Sequence, residues 1–260
     1  TLDGTLFPYT TLFRSHVKGH PMCGFGAAFK NIALGCMVGE TRSQIHDTSH
    51  FDRYWFKGRC PDRSLMQQIV DSCPFGAVVF DKKDPEELHL HFESCNQCMR
   101  CQQVAPPGSL LIQPENFHAF MEAAAISTAI TLSTFEKGKT THLALATHMT
   151  PMCDCFGFTS MPILQDAGIF GSDDIVALDK AVLDKTTDLP LILENIPSSL
   201  EPQPHDGHPF AQLHGRFKDP YVLLHYAEKL GLGSQDYQLV DVLPLDDLSP
   251  RTKGFYISAQ

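Results

Sequence analysis

The sequence has no run of Lys and Arg and no long apolar segment. The chain of 260 residues carries 30 Asp and Glu against 20 Lys and Arg, a formal net charge of −10. Little would therefore offset the repulsion of DNA phosphates or of an anionic membrane. No apolar stretch approaches the roughly 20 residues that a membrane-spanning helix needs. We predict neither a nucleic-acid partner nor a membrane partner.

The common nucleotide-binding motifs are also missing. Phe29 stands where the third glycine of a G-x-G-x-x-G fingerprint beginning at Gly24 would be, and no G-x4-G-K-[ST] is present. Gly24-Phe-Gly26 before a helix that carries Lys30 could still hold an anion at the helix N-terminus. A tight turn with close helix packing explains the same glycines.

We do not expect the first residues of this sequence to be a secretory signal, because they lack a basic first segment, an unbroken apolar run and a small-residue cleavage site. Residues 6–15, LFPYTTLFRS, instead resemble the in-frame translation of a sequencing-library adapter. We interpret residues 1–15 as an artefact that is not native. We therefore expect a longer natural N-terminal segment in their place, and we expect the native part of this sequence to begin near His16.

What the chain does have is nine cysteines, an odd number in a protein long enough to bury its own core. That count argues against a disulfide scaffold and favours metal or redox use in a reducing compartment. We therefore expect a cytoplasmic location.

The sharpest motif is Cys95-Asn-Gln-Cys98-Met-Arg-Cys101. In bacterial ferredoxins a C-x2-C-x2-C run continues with x3-C-P, and this fourth cysteine ligates the other of two clusters. Here Ala105 takes the fourth position, followed by Pro106. The motif can therefore supply three ligands to one cluster.

An eroded copy of the same motif lies upstream. It keeps Cys73-Pro74, but its three earlier positions are Arg63, Met66 and Ile69, and the nearby Cys60 is out of register. The first cluster therefore lacks its ligands. The second has all four: Cys73, Cys95, Cys98 and Cys101. We predict one [4Fe–4S] cluster on these residues, with a four-thiolate zinc site and unrelated cysteines as alternatives.

A second group of cysteines is less specific. Cys153-Asp154-Cys155 follows a predicted strand, and two thiols so close together can bind one metal or act as a redox pair. Cys23 and Cys36 lie beside His20 in the glycine-rich N-terminal stretch and could approach the same place. This gives a candidate second metal or cluster site on Cys153, Cys155, Cys36 and His20. Buried thiols that only pack in the core are the simpler interpretation.

Apolar periodicity predicts helices at 26–34, 114–135, 174–185 and 220–230, and strands at 76–80, 88–92, 142–148, 189–194 and 237–242. Asp174 is expected as a helix N-cap and Gly231 as a C-cap. Alternation of this kind predicts an α/β fold with a largely parallel sheet. We expect an incomplete α/β domain at 16–50 and 113–260, interrupted by a small α+β insert at 51–112.

Several separated motifs together resemble the uncharacterised Fe–S centre proteins of domain-of-unknown-function family 362. They are KGHPMCGFGAAFKNIALGC, the Cys-rich insert, TPMCDC and LQDAGIFGSDDIVALDKAVLD. The resemblance implies a cytoplasmic α/β protein with a ferredoxin-like insert for two clusters, here degenerate, and a missing N-terminal portion. The family motif positions matched here are Lys18, His20, Gly24, Gly26, Lys30, Asn31, Gly35, Cys36, His46, Cys153, Asp154, Cys155, Asp166, Gly168, Ser172, Asp173 and Asp179.

Three functions are consistent with these features. The first is a one-electron-transfer protein or oxidoreductase subunit, which works with a redox partner protein or a small-molecule acceptor. The second is a binding or structural protein in which a cluster or zinc staples the insert. The third is a metal-dependent enzyme with Cys153 and Cys155 as ligands.

Overall fold

The computed structural model describes residues 11–49, 53–91, 94–112, 116–153, 160–204 and 206–242. The helices in these ranges are α1 (Ala28–Gly35), α2 (Gly39–Asp47), α3 (Arg63–Asp71), α4 (Arg100–Val104), α5 (Asn116–Ser133), α6 (Ile175–Thr187), α7 (Pro209–His214) and α8 (Tyr221–Lys229). The strands are β1 (Thr11–His16), β2 (Lys18–His20), β3 (Gly24–Gly26), β4 (Arg53–Trp55), β5 (Val78–Phe80), β6 (Leu88–Leu90), β7 (Leu110–Ile112), β8 (Thr140–Ala146) and β9 (Gly168–Ser172).

The main sheet has the order β1-β8-β9. Strand β8 pairs parallel with β1 and antiparallel with β9, so the α/β class is confirmed but the sheet is mixed rather than largely parallel. Helices α1 and α6 contact this sheet, and α5 packs against α1 and α8. One hydrophobic core unites these elements, with Phe29, Phe120 and Val182 among its fully buried side chains.

Strand β1 includes residues 11–15, which the sequence analysis interprets as part of an artefact. Thr11 to His16 pair in register with Thr140 to Leu145, so this stretch is part of the sheet although it overlaps the adapter-like segment. Threonine and phenylalanine favour a strand whether or not the segment is native. That residues 1–15 are not native stays a prediction.

The helix ends follow their capping residues. The Asp174 carboxylate accepts the N–H groups of Val176 and Ala177 at 2.8 and 2.9 Å, which confirms the predicted N-cap of α6. Gly231 has a φ of +72°, and its N–H donates to Glu228 O at 2.9 Å. This left-handed glycine ends α8 as predicted.

Two predicted strands are wrong. Residues 189–194 contain Pro190, which has no N–H for a ladder, and the chain turns there into a 3-10 helix at Leu193–Asn195. Residues 237–242 form no strand and are exposed. In the described residues their apolar side chains pair with no strand.

The residues between β4 and β7 pack as a separate unit. They run strand–helix–strand twice, β4-α3-β5 and β6-α4-β7, with β4 paired to β7 and β5 paired to β6. A second hydrophobic cluster holds this unit together and shares no buried residue with the main core. None of the helices in the described ranges is both long and apolar enough to cross a lipid bilayer.

A buried histidine in the main domain should make the fold acid-sensitive. His208 caps α7: its Nδ1 accepts the Phe210 N–H at 3.3 Å, and its Nε2 lies 2.9 Å from Thr186 Oγ1. Burial lowers the pKa of His208 to about 3 from an ordinary 6.5. Below pH 6.5 the unfolded chain therefore takes up a proton that the folded chain refuses. The free energy of unfolding should fall by about 2–3 kcal/mol for this group between pH 6.5 and pH 4.5.

Denaturant titrations of the wild type and of His208→Asn at the two pH values measure this effect. Other acid-sensitive groups act equally in both proteins, so the wild type should show the larger loss. Equal losses in the two proteins would show that His208 does not titrate in this way.

Candidate metal centre

The loop that carries the C-x2-C-x2-C motif has an unusual backbone. Cys95 and Cys98 lie in irregular chain before α4, and Cys101 lies in the first turn of that helix. Gln97 and Met99 have φ values of +61° and +63°. A left-handed conformation at a non-glycine residue costs roughly 1–2 kcal/mol, so contacts elsewhere must stabilise this loop.

The fourth predicted ligand lies beside the loop. Cys73 follows α3, is half-buried, and its Sγ accepts the N–H of Ala77 at 3.2 Å. Burial raises the pKa of the Cys101 thiol, and Cys95, Cys98 and Cys73 raise it further through their charges. The structure thus brings the four predicted ligands into one neighbourhood, where each thiolate would repel the others unless a cation joins them.

The ligand positions of the eroded first motif have a different environment. Met66, Ile69 and Ala105 are buried with Cys60 in the hydrophobic cluster of the small unit. Positions 63, 66 and 69 are three apart, and this segment forms the regular helix α3 instead of a loop. Apolar side chains therefore stand where a first cluster would need cysteine ligands.

The cysteine loop docks on the main domain. The Gln97 side chain donates to Ser49 O at 2.8 Å, the Gln203 side chain donates to Cys98 O at 3.3 Å, and Arg100 donates to Leu213 O at 3.4 Å. A Cβ on Gly215 would lie 3.3 Å from Gln97 O. Hydrogen bonds between the two units thus hold the strained loop in place.

Sequence reasoning missed Lys218, which is fully buried next to this loop. Burial lowers the pKa of Lys218 to about 8, whereas the charges of Cys98, Cys95 and Cys23 act to raise it. A single lysine between Phe217 and Asp219 has no pattern that marks it as buried. Only the tertiary structure brings it to the cysteines.

The second candidate site is only partly assembled as predicted. Cys153 is fully buried, and Lys30 Nζ donates to its Sγ at 2.8 Å. His20 is buried in the same region, and burial lowers the pKa of His20, with Lys30 lowering it further. Asp154 and Cys155 lie outside the described residues.

Cys23, rather than Cys36, is the cysteine near Cys153. Burial raises the pKa of Cys23 to about 12, Lys30 and Lys218 oppose that shift, and Cys153 adds to it. Cys36 is exposed and follows the last residue of α1, about 9 Å along the helix axis from Lys30. The structure therefore places Cys36 apart from the other members of the predicted second site.

The helix N-terminus after Gly24-Phe-Gly26 is already occupied by a carboxylate of the chain. Asp179 accepts the N–H groups of Ala28 and Phe29 at 3.0 and 3.1 Å. Burial raises the pKa of Asp179 to about 7, and the two hydrogen bonds act against that shift. The possible anion site at the start of α1 is therefore occupied by a carboxylate of the chain itself.

Within the described ranges, no three His, Cys, Asp or Glu side chains converge closely enough to hold a single metal ion.

Fold and site together define an α/β protein with a separately packed, cysteine-rich unit. A family model described as Domain of unknown function (DUF362) matches residues 12–184, and the chain belongs to this family. No curated protein and no solved structure matches the chain.

Proposed function

We propose that this protein binds one [4Fe–4S] cluster through Cys73, Cys95, Cys98 and Cys101 and serves as an electron-transfer component of an oxidoreductase. The observation that carries the proposal is the shared neighbourhood of these four thiols: Cys73, Cys95 and Cys98 lie close enough to Cys101 for their charges to raise the pKa of its thiol. When bound, such a cluster supplies one-electron transfer, because four protein ligands leave no iron open to a substrate.

The residues present fit this group. The Cys73 sulfur accepts a backbone N–H from Ala77, and hydrogen bonds of this kind stabilise a thiolate ligand. The Asn96 side chain accepts the Cys98 N–H at 3.1 Å and so shapes the loop from within. Cys98 and Cys101 are 7% and 6% exposed, so little water reaches that side of the site.

The strand order of the small unit gives further support. Two strand–helix–strand halves with paired outer strands and paired inner strands form a ferredoxin-like arrangement. In that arrangement the fourth cysteine of one half serves the cluster of the other half. Cys73 follows the helix of the first half and lies beside the loop of the second, as this exchange requires.

A zinc ion is the main alternative to the cluster at a site of four thiolates. Bonds of about 2.3 Å in a tetrahedron place the sulfurs about 3.8 Å apart. The corners of an iron–sulfur cube hold their cysteines farther apart, because each sulfur binds a different iron. The lack of a single-ion site in the described ranges therefore does not conflict with a cube.

A cleft beside Cys73 is the surface where we expect a redox partner protein or a small-molecule acceptor to approach. It has a volume of about 420 Å³ and lies between the small unit and residues Ser198 to Glu201 of the main domain. Asp71, Arg100 and Glu201 give it charges of both signs, which favours a polar contact.

We propose a cytoplasmic location, because thiolate ligands need a reducing compartment.

Metal and acid-labile sulfide analysis of anaerobically purified protein tests the proposal. We expect about four iron and four sulfide per chain, with absorbance that bleaches reversibly on reduction. One zinc without sulfide would contradict it. A cluster that raises the melting temperature but cannot be reduced reversibly would favour the structural role. A further metal equivalent lost on Cys153→Ala would add the second site.

A further inference from the structure

Lys218 is a buried cation that links the cysteine loop to the main domain. Its side chain is 0% exposed. Its Nζ donates to two backbone carbonyl oxygens, those of Asn96 and Pro21. Asn96 lies in the loop between Cys95 and Cys98, and Pro21 lies in the turn between β2 and β3. The ammonium group is thus fixed against the loop that holds two of the proposed ligands.

No carboxylate compensates this charge in the part of the chain that the structure describes. The ion pairs found there join Lys57 and Lys180 to acidic residues, and none includes Lys218. Carbonyl dipoles solvate an ammonium ion only partly. Burying an unpaired charge is costly, so a buried lysine normally has an anion beside it.

The thiols of Cys95, Cys98 and Cys23 are the acidic groups whose charges act on Lys218. Two of them belong to the proposed cluster site. A cube held by four thiolates carries a net negative charge, which grows by one unit on reduction. Such a group would supply an anion beside the buried ammonium group of Lys218.

We propose that Lys218 is the internal counter-ion of the cluster and a positioning residue for its loop. The inference rests on the proposed function. A fixed positive charge stabilises the more negative, reduced state more than the oxidised state. Lys218 therefore holds the reduction potential above the value that the same cluster has without it.

The experiment compares the full-length wild type with Lys218→Met, which removes the charge but keeps a long apolar side chain. Lys229→Met is the matched control, because Lys229 is exposed at the end of α8 and its charge is screened by water. Iron and sulfide content are measured first, and the midpoint potential is then measured by EPR-monitored titration.

We expect full cluster content in all three proteins, a more negative midpoint potential in Lys218→Met, and no shift in Lys229→Met. A fully loaded Lys218→Met protein with an unchanged or more positive potential would overturn the counter-ion role while leaving the proposed function intact. A wild type without iron and sulfide would overturn both.

Two further variants decide the matter if Lys218→Met loses the cluster or does not fold. Lys218→Gln keeps donors for the two carbonyls without the charge, and Lys218→Arg keeps the charge. Loss of the cluster in Met and Gln but retention in Arg supports the counter-ion. Loss in all three, or retention in Gln at the wild-type potential, overturns it.

Discussion

Replacing Cys73 with alanine should remove the cluster and nearly all of the bound iron. Cys73 is the ligand that the first half of the small unit supplies to the second, and its sulfur already accepts the Ala77 N–H. Three remaining thiolates leave one iron of the cube without a protein ligand, so the cube is exposed to loss and oxidation. Iron and sulfide analysis with the absorbance spectrum measures the effect.

Cys60→Ala is the control, because the same atoms are deleted from the same unit. Cys60 is 0% exposed among apolar side chains. Burial raises the pKa of the Cys60 thiol, and the charge of Asp62 raises it further. In contrast to Cys101, the pKa of Cys60 is not shifted by another cysteine. We expect full cluster content and a loss of stability of roughly 1 kcal/mol. An empty Cys60→Ala protein beside a loaded Cys73→Ala protein would reverse the ligand assignment.

Gly19→Ala should destabilise the main domain by about 3 kcal/mol or more. Gly19 lies in β2, and its N–H donates to Thr150 O at 2.8 Å. A Cβ there would overlap the carbonyl oxygen of Pro151 and lie 2.8 Å from His214 Nε2. The backbone would have to move, and Pro151 is two residues from Cys153. Denaturant unfolding measures the loss.

Gly35→Ala is the matched substitution in open space. Gly35 is the last residue of α1, and apart from its chain neighbours and the backbone of its own helix no described atom lies within 4 Å of the position that its Cβ would take. Alanine favours helix over glycine by up to about 1 kcal/mol, so this variant should be as stable as the wild type or more so. Similar losses in Gly19→Ala and Gly35→Ala would show that the approach to Pro151 does not constrain the fold.

Local patterns predicted much of the secondary structure. The bounds of helices α1, α5, α6 and α8 lie within two residues of the predicted ranges, because apolar periodicity and capping residues act over one or two turns. The four-cysteine set was also a sequence inference, since the ferredoxin spacing names its members. The strands predicted at 189–194 and 237–242 failed because pairing depends on a partner strand that local sequence does not specify.

The surroundings of the candidate site could not be predicted, because they join residues far apart in the chain. Lys218 is 122 residues from Asn96 and 197 from Pro21, and Asp179 is 151 residues from Ala28. No short-range motif marks such contacts. The expected member Cys36 and the observed member Cys23 are both plausible by spacing, and only the direction of α1 separates them.

The most direct test is low-temperature EPR of the anaerobically purified, dithionite-reduced protein, with the spin intensity integrated against protein concentration. One [4Fe–4S] cluster on Cys73, Cys95, Cys98 and Cys101 predicts a signal that integrates to about one spin per chain, without splitting from a second cluster. A spectrum without such a signal, from protein that contains zinc, would contradict the account. So would the split signal of two interacting clusters.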